Sequence, residues 1–365
     1  MRKPFFAAGC CGLIFIAEWA FGRQKIPQQP ANDPTQIITA DDPAKLEKEL
    51  NEAAAAGFRV YRAFPGRTHS AVTNALLSGG AHDTSGAIVT MEKIPADSAN
   101  CQYKVIRLFV RLSSWERDIN AAAAQGFRVV PGYGTFPIRR GFVLGTAPTL
   151  ITIMEKTPGA SEFPRYSVAE ARQMGNFERE VNQRFADGYT LVWLGKNWAL
   201  NLALMEKGVG SPGERRLLAA NRMEELEPKL QATAAQRFCI VDSETLDDPS
   251  HGDRVAYLEK CDTAPEYIFA KNDQKSLADF NKAVTDGYRL VPGGIFGEVI
   301  TLVKAPVGER YEYRFVKNTA EAGEAKKTGY TELPLSYPIR LGGFVGGAME
   351  RKVLSTPEAS HQRPG

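Results

Sequence analysis

Four histidines, His69, His82, His251 and His361, are the first side chains to weigh for chemistry. Imidazole is the group that most readily moves a proton or binds a metal near neutral pH. His69-Ser70 and His82-Asp83 share one stretch, and a base, a hydroxyl and a carboxylate brought together could make a nucleophilic or metal-assisted site. Their spacing matches no zinc pattern. The chain also has no Gly-x-Ser-x-Gly elbow and no phosphate-binding glycine loop after a strand. The paired carboxylates Asp41-Asp42 and Asp247-Asp248 stand at a helix start and in a turn, where capping and turn formation explain them. No catalytic set, no metal site and no cofactor are expected.

Three other groups recur with regular spacing. Asn51, Asn120, Asn182 and Asn281 occupy one position of a repeated phrase. They could line a ligand stripe, or they could bond to the backbone of their own helix end or of a neighbouring strand. Arg59, Arg128 and Arg289 alternate with apolar residues, as on a solvated strand face. Tyr133, Phe136, Trp193 and Trp198 gather in loops, where rigid aromatics could anchor a ligand or close a contact between units.

The elements that must position these groups come from the phrase Leu50-Asn51-Glu52-Ala53-Ala54-Ala55-Ala56-Gly57-Phe58-Arg59-Val60. It returns at Ile119 to Val129, at Val181 to Leu191 and at Phe280 to Leu290. A degraded copy runs from Leu230 to Ile240, and a fainter one surrounds Gly329-Tyr330. Leu46 and Leu50, Trp115 and Ile119, Phe177 and Val181, and Leu226 and Leu230 are spaced to share one helix face. Gly57, Gly126, Gly188, Gly287 and Gly329 then fall where a helix needs a left-handed residue to stop. Arg237 holds that position in the fourth copy, so that helix must end differently or carry strain. An alternating strand follows each stop, and then a second strand ending in a basic residue, as in Met91-Glu92-Lys93, Met154-Glu155-Lys156 and Met205-Glu206-Lys207. A further strand precedes each helix.

The expected fold is therefore α+β, a tandem array of about six β-α-β-β units. Each is a helix on a small, mostly antiparallel sheet. The units divide the chain at 36–99, 100–162, 163–213, 214–264, 265–309 and 310–354. Third strands such as Ile151-Thr152-Ile153 and Leu202-Ala203-Leu204-Met205 are apolar on both faces and need cover on both. A unit of about fifty residues is also small for an independent core. The units should pair or stack.

These residues resemble a family of small, uncharacterised bacterial domains. The family pattern is an opening Tyr-Lys-Val strand, a helix ending Leu-Asn with a glycine seven residues after the leucine, then aromatic-x-Leu/Val and a closing strand with a basic end. Tyr103-Lys104-Val105, Leu50-Asn51 to Val60, and Met91-Glu92-Lys93 match it in turn. The resemblance covers most of the chain in tandem and implies a fold without an activity. The chain departs from it in having Phe or Tyr where tryptophan is common, in its long loops and at Arg237.

The ends read differently. Arg2 and Lys3 precede the apolar run Phe5 to Ala17, and small residues flank Phe21. That is the pattern of an export signal over 1–22, or of an N-terminal anchor if it is kept. Residues 23–35 read as a flexible linker and 355–365 as a disordered tail. Export permits disulfides. Cys239 and Cys261 flank the turn-like 247–252 segment symmetrically, so a cross-strand bridge and two buried thiols both fit; Cys101 is left over as a buried thiol. A net charge of +3 with acids and bases interspersed gives no argument for nucleic acid.

The expected function is an exported, non-enzymatic scaffold that binds an unknown protein or cell-envelope partner through its variable loops. It would touch a membrane only through an uncleaved N-terminal segment. A small-molecule or glycan binder with an inter-unit cleft is the second reading. A hydrolase-type centre at His69, His82 and Asp83 is the third.

Overall fold

The computed structural model describes residues 35–40, 42–67, 84–94, 101–108, 112–130, 134–138, 149–159, 163–197, 200–208, 213–246, 252–317, 319–333, 339–342 and 344–354. Unit one comprises β1 (Thr35–Ala40), α1 (Pro43–Ala55), β2 (Phe58–Arg67) and β3 (Thr84–Lys93). Unit two has β4 (Gln102–Arg107), α2 (Leu112–Ala123), β5 (Arg128–Val129), β6 (Thr135–Ile138) and β7 (Thr149–Lys156). Unit three has β8 (Arg165–Ala171), α3 (Met174–Ala186), β9 (Tyr189–Asn197) and β10 (Leu200–Lys207). Unit four has β11 (Arg215–Ala220), α4 (Met223–Ala234), β12 (Phe238–Leu246) and β13 (Asp253–Lys260). Unit five has β14 (Tyr267–Lys271), α5 (Leu277–Thr285), β15 (Tyr288–Phe296) and β16 (Val299–Lys304). Unit six has β17 (Glu309–Val316), α6 (Thr319–Lys327), β18 (Thr331–Glu332) and β19 (Gly347–Leu354). The fold is thus an α+β array of six β-α-β-β units.

Within each sheet the last strand lies in the middle, as in the order β1-β3-β2, and pairs antiparallel with the others: two in five of the sheets, and three (β4, β5 and β6) in unit two. The first and second strands therefore run the same way without touching. The helix carries the chain across the width of the sheet, and the closing hairpin inserts its second strand between them. The first strand is always left at an edge, with one row of backbone groups unpaired inside its own sheet.

α1 shows why these residues make a helix. The Asp42 carboxylate caps its start by accepting from Ala44 N at 2.8 Å and Lys45 N at 3.1 Å, and Pro43 fits the first turn. Leu46, Leu50, Ala53 and Ala54 form its buried stripe. The helix stops at Gly57, whose φ is 85°. Arg237 takes the same left-handed conformation at φ 63°, the one non-glycine with positive φ among the described residues. Of the two outcomes the sequence allowed there, strain is the one realised.

The five larger cores each belong to two units. The first contains Leu46 and Leu50 of α1 together with Ile151 and Ile153 of β7 in the next unit. The alternate β7 residues Leu150 and Met154 face α2 and join a second core with Leu202 and Leu204 of β10. A third places Phe177 and Val181 of α3 against Leu217 and Val255 of unit four. The pattern continues from unit four to five and from five to six. In units two to six the third strand is thus covered by its own helix on one side and by the preceding helix on the other. The units stack sheet on helix on sheet, and only the last helix has a small core to itself, around Ala322, Ala325 and Met349.

Candidate functional site

The recurring asparagines lie at the junctions between units. Asn51 Nδ2 donates to Tyr103 O at 2.9 Å and to Glu47 O at 2.8 Å, while its Oδ1 accepts from Tyr103 N at 2.9 Å. One turn earlier on α1, the Glu47 carboxylate accepts from Val105 N at 2.8 Å. Two side chains spaced by four residues thus hold three backbone groups on the free edge of the next unit's first strand. Asn120 and Glu116 do the same for Tyr166 and Val168, and Asn182 and Glu178 for Leu217 and Ala219. The amides of Asn51, Asn120 and Asn182 are therefore committed to strand backbone and do not form a ligand stripe. Asn281 stands apart: it is exposed, and Leu277 holds the place of the glutamate.

A tyrosine completes the clasp. Tyr103 Oη accepts from Val60 N at 2.9 Å and donates to Glu155 at 2.7 Å. Arg59 then reaches the same carboxylate through Nε at 3.0 Å and Nη2 at 2.6 Å. Arg128, Tyr166, Glu206 and Val129 N repeat the arrangement one unit on. Arg59 and Arg128 are thus ion-paired across units and not simply solvated. Burial, reinforced by the carboxylate, pushes the Tyr103 and Tyr166 phenols up, so both keep the proton they donate.

The later junctions are variants. Tyr267 still accepts from Ile240 N at 2.8 Å, and Gln231 replaces asparagine in reaching Tyr267 O at 3.1 Å; burial pushes this phenol up to about 12. Val303 stands where Glu155 and Glu206 stand in their units, and Cys239 takes the position of Arg59. Cys239 is bonded to Cys261, with Cα atoms 5.9 Å apart, and Cys261 N donates to the carbonyl of the strained Arg237 at 2.9 Å. At the last junction Tyr313 accepts from Leu290 N and donates to Glu350, each at 2.7 Å. Arg289 there donates to Tyr311 at 2.9 Å.

Trp193 also belongs to a junction. Its ring stands edge-on to Trp115 at 6.2 Å within the core shared by units two and three. Trp115 in turn donates to buried Thr152 at 3.1 Å. Phe136 is in β6, with its side chain outside what the structure describes; Tyr133, Trp198, His69, His82, Asp83 and His251 lie outside the described residues. Cys101 is buried and lies outside the disulfide, and no metal-binding cluster occurs among the described residues.

A site that the sequence did not reveal opens where three successive units present the same end. The β11–α4 loop and first turn of α4 (Asn221 to Glu224), the start of β13 (Asp253, Arg254), the end of β14 and the loop after it (Lys271 to Gln274), the β15–β16 turn (Glu298) and Arg340, Phe344 and Val345 of unit six enclose a cleft of about 1080 Å³. Asn272 fixes its floor. Buried to 3% exposure, it donates from Nδ2 to Gly297 O at 2.9 Å and from its backbone to Glu298 O at 2.7 Å, and accepts from Arg340 N at 2.6 Å. One amide thus ties two units together.

Arg254 is the other buried wall. Only 6% exposed, its guanidinium donates from Nη1 to Gly252 O at 2.7 Å, and its Nε has no acceptor. Burying a guanidinium with one nitrogen unsatisfied is costly. Four basic residues line the cleft (Arg222, Arg254, Lys271, Arg340) and four acids face them (Glu224, Asp253, Asp273, Glu298). Asp253 is paired with Lys196 of unit three at 3.3 Å. Hydrogen bonds from the Ser276 hydroxyl and the Lys275 amide hold Asp273 below the usual carboxylate range. Phe344 and the 57% exposed Val345 add an apolar side. Convergent donors and acceptors of both signs beside an aromatic ring suit a polar ligand with many hydrogen-bonding groups.

No protein-family model matches the chain, and neither does any curated protein or solved structure. Among the described residues no helix is long and apolar enough to cross a membrane.

Proposed function

We propose that the protein is an exported, non-enzymatic binding scaffold whose ligand, a glycan or a comparably hydroxylated small molecule, enters the cleft across units four to six. The cleft itself carries this reading: three units contribute polar loops to one concave surface, and the junctions hold those loops in register. Preorganised polar groups lose less entropy on binding than mobile ones. The Cys239–Cys261 bond supports export, because such bonds persist in oxidising compartments, and it agrees with the signal-like pattern of residues 1–22.

Two experiments test the proposal. Screening the full chain against neutral, amino-bearing and carboxylate-bearing oligosaccharides by thermal shift should return at least one ligand whose effect disappears in Lys271→Ala and Gln274→Ala. A panel with no ligand, or a shift indifferent to both substitutions, rejects the cleft. Fractionation with intact mass should find a processed, disulfide-bonded chain outside the cytoplasm; a full-length, reduced, cytoplasmic chain rejects export.

A further inference from the structure

The stack has two unlike ends. At five successive junctions the outer face of a sheet is covered by the helix of the unit before it. Unit one has no such helix among the described residues, and its outer face shows the consequence. Ile37 pairs with Thr90 as Val105 pairs with Ile153. Yet Ile37 is 59% exposed, whereas Val105 packs into the first core. Tyr61, the extra residue of the β2 bulge, is 53% exposed, and its counterpart Val130 is 9% exposed. Ile88 and Thr90 are only half-buried where Ile151 and Ile153 are fully buried.

The other end is closed. In α6 the positions of Asn51 and Glu47 are taken by Gly323 and Thr319, and Glu324, Lys326 and Lys327 are exposed. The last helix therefore offers neither the carboxylate nor the amide that the earlier junctions use.

We propose that the outer face of unit one is a docking site for a helix from a separate repeat chain. The chemistry of that helix follows from the internal junctions. It is amphipathic, carries Glu and Asn four residues apart, and has an apolar residue directly before the Asn, as in Glu47-x2-Leu50-Asn51, Glu116-x2-Ile119-Asn120 and Glu178-x2-Val181-Asn182. The apolar residues would cover Ile37, Tyr61 and Ile88, and the carboxylate would take the Ile37 N–H as Glu47 takes that of Val105. A second copy of this chain cannot supply the helix, because α1, α2 and α3 already hold their own neighbours and α6 lacks both groups. The contact is heterologous, and α6, which lacks both groups, does not present the same helix face. This proposal is independent of the cleft.

A labelled, helix-stapled peptide of residues 112–123 serves as the probe, titrated into the full chain by fluorescence anisotropy. Saturable binding is expected. It should weaken about tenfold when the peptide carries Glu116→Ala and Asn120→Ala, the loss of charge-assisted and amide hydrogen bonds together. It should fall as strongly with Ile37→Asp or Tyr61→Asp in the chain, both exposed positions where folding is retained. No binding, or binding indifferent to these changes, overturns the proposal. So does binding that appears only when residues 1–34 are removed, which would make the chain's own N-terminal segment the occupant. A dimer in sedimentation that Ile37→Asp dissolves would make a second copy the occupant and overturns it equally.

Discussion

Asn51 holds both backbone groups of Tyr103, a residue 52 positions further along the chain and in another unit. The amide is matched in shape to one residue of an exposed strand edge: its Nδ2 meets the carbonyl and its Oδ1 meets the N–H. Tyr103 answers across the same junction by accepting from Val60 N. The two residues thus bind each other's units reciprocally, and the same exchange recurs between Asn120 and Tyr166.

Removing such an amide leaves a strand N–H and carbonyl without partners. Asn120→Ala should therefore cost about 2 kcal/mol, within the range for stranding a partly buried polar group. Asn281→Ala, at an exposed position, should stay within about 0.5 kcal/mol of the parent. Urea titration followed by circular dichroism would compare the two; equal losses would contradict the role assigned to Asn120.

Arg237 occupies a conformation that glycine adopts freely. Arg237→Gly should raise stability by about 1 kcal/mol, the lower part of the cost of a left-handed non-glycine residue. The cations over the Phe238 ring belong to Arg216 and Lys260, not Arg237, so the substitution removes neither ring contact. Calorimetry of the oxidised protein gives the measurement, and a lowered Tm would argue against strain.

Glu244 gives the protein an unusual pH response. Burial, with the neighbouring Asp242 charge, pushes its carboxyl from 4.5 up to about 8. The folded chain therefore keeps a proton that the unfolded chain releases. The stability linked to this group is complete below about pH 4.5, declines as pH rises, and is lost above about pH 8. Tm measured across this window should fall less steeply for Glu244→Gln than for the parent. Parallel profiles would remove Glu244 as the cause.

Cys239 and Cys261 close a loop of 22 residues. By the chain-entropy account, opening a loop of this length costs about 3 kcal/mol. Cys239→Ser with Cys261→Ser should lower the denaturation midpoint accordingly, and reductant should do the same to the parent but leave the double variant unmoved. An effect of reductant on the variant would show that the shift in the parent does not come from this bond.

Much of the scaffold was legible because it is local. Leu46, Leu50 and Gly57 encode a helix face and its stop within a dozen residues, and the two-faced β7 run demanded cover on both sides. What the residues touch was not legible. The partner of Asn51 is in the next unit, and nothing near Arg59 in sequence points to Glu155. One signal was present and unread: glutamate precedes asparagine by four residues in units one to three, a spacing that puts both on one helix face. The first strand of unit six carries both Tyr311 and Tyr313, and Tyr313 performs the junction role; the sequence does not show which, because strand ends do not declare their register. The cleft was invisible for a further reason. Its walls come from Arg254, Asn272 and Arg340, which belong to three units and share no motif.

The shared cores carry a consequence for synthesis. A chain that emerges N-terminus first completes α1 before any residue of β7 exists, so the far side of that helix stays wet until roughly a hundred more residues have followed, given the positions of Leu50 and Ile151. Each unit is finished by its successor. Maturation through these six units therefore advances as a wave that lags translation by one unit.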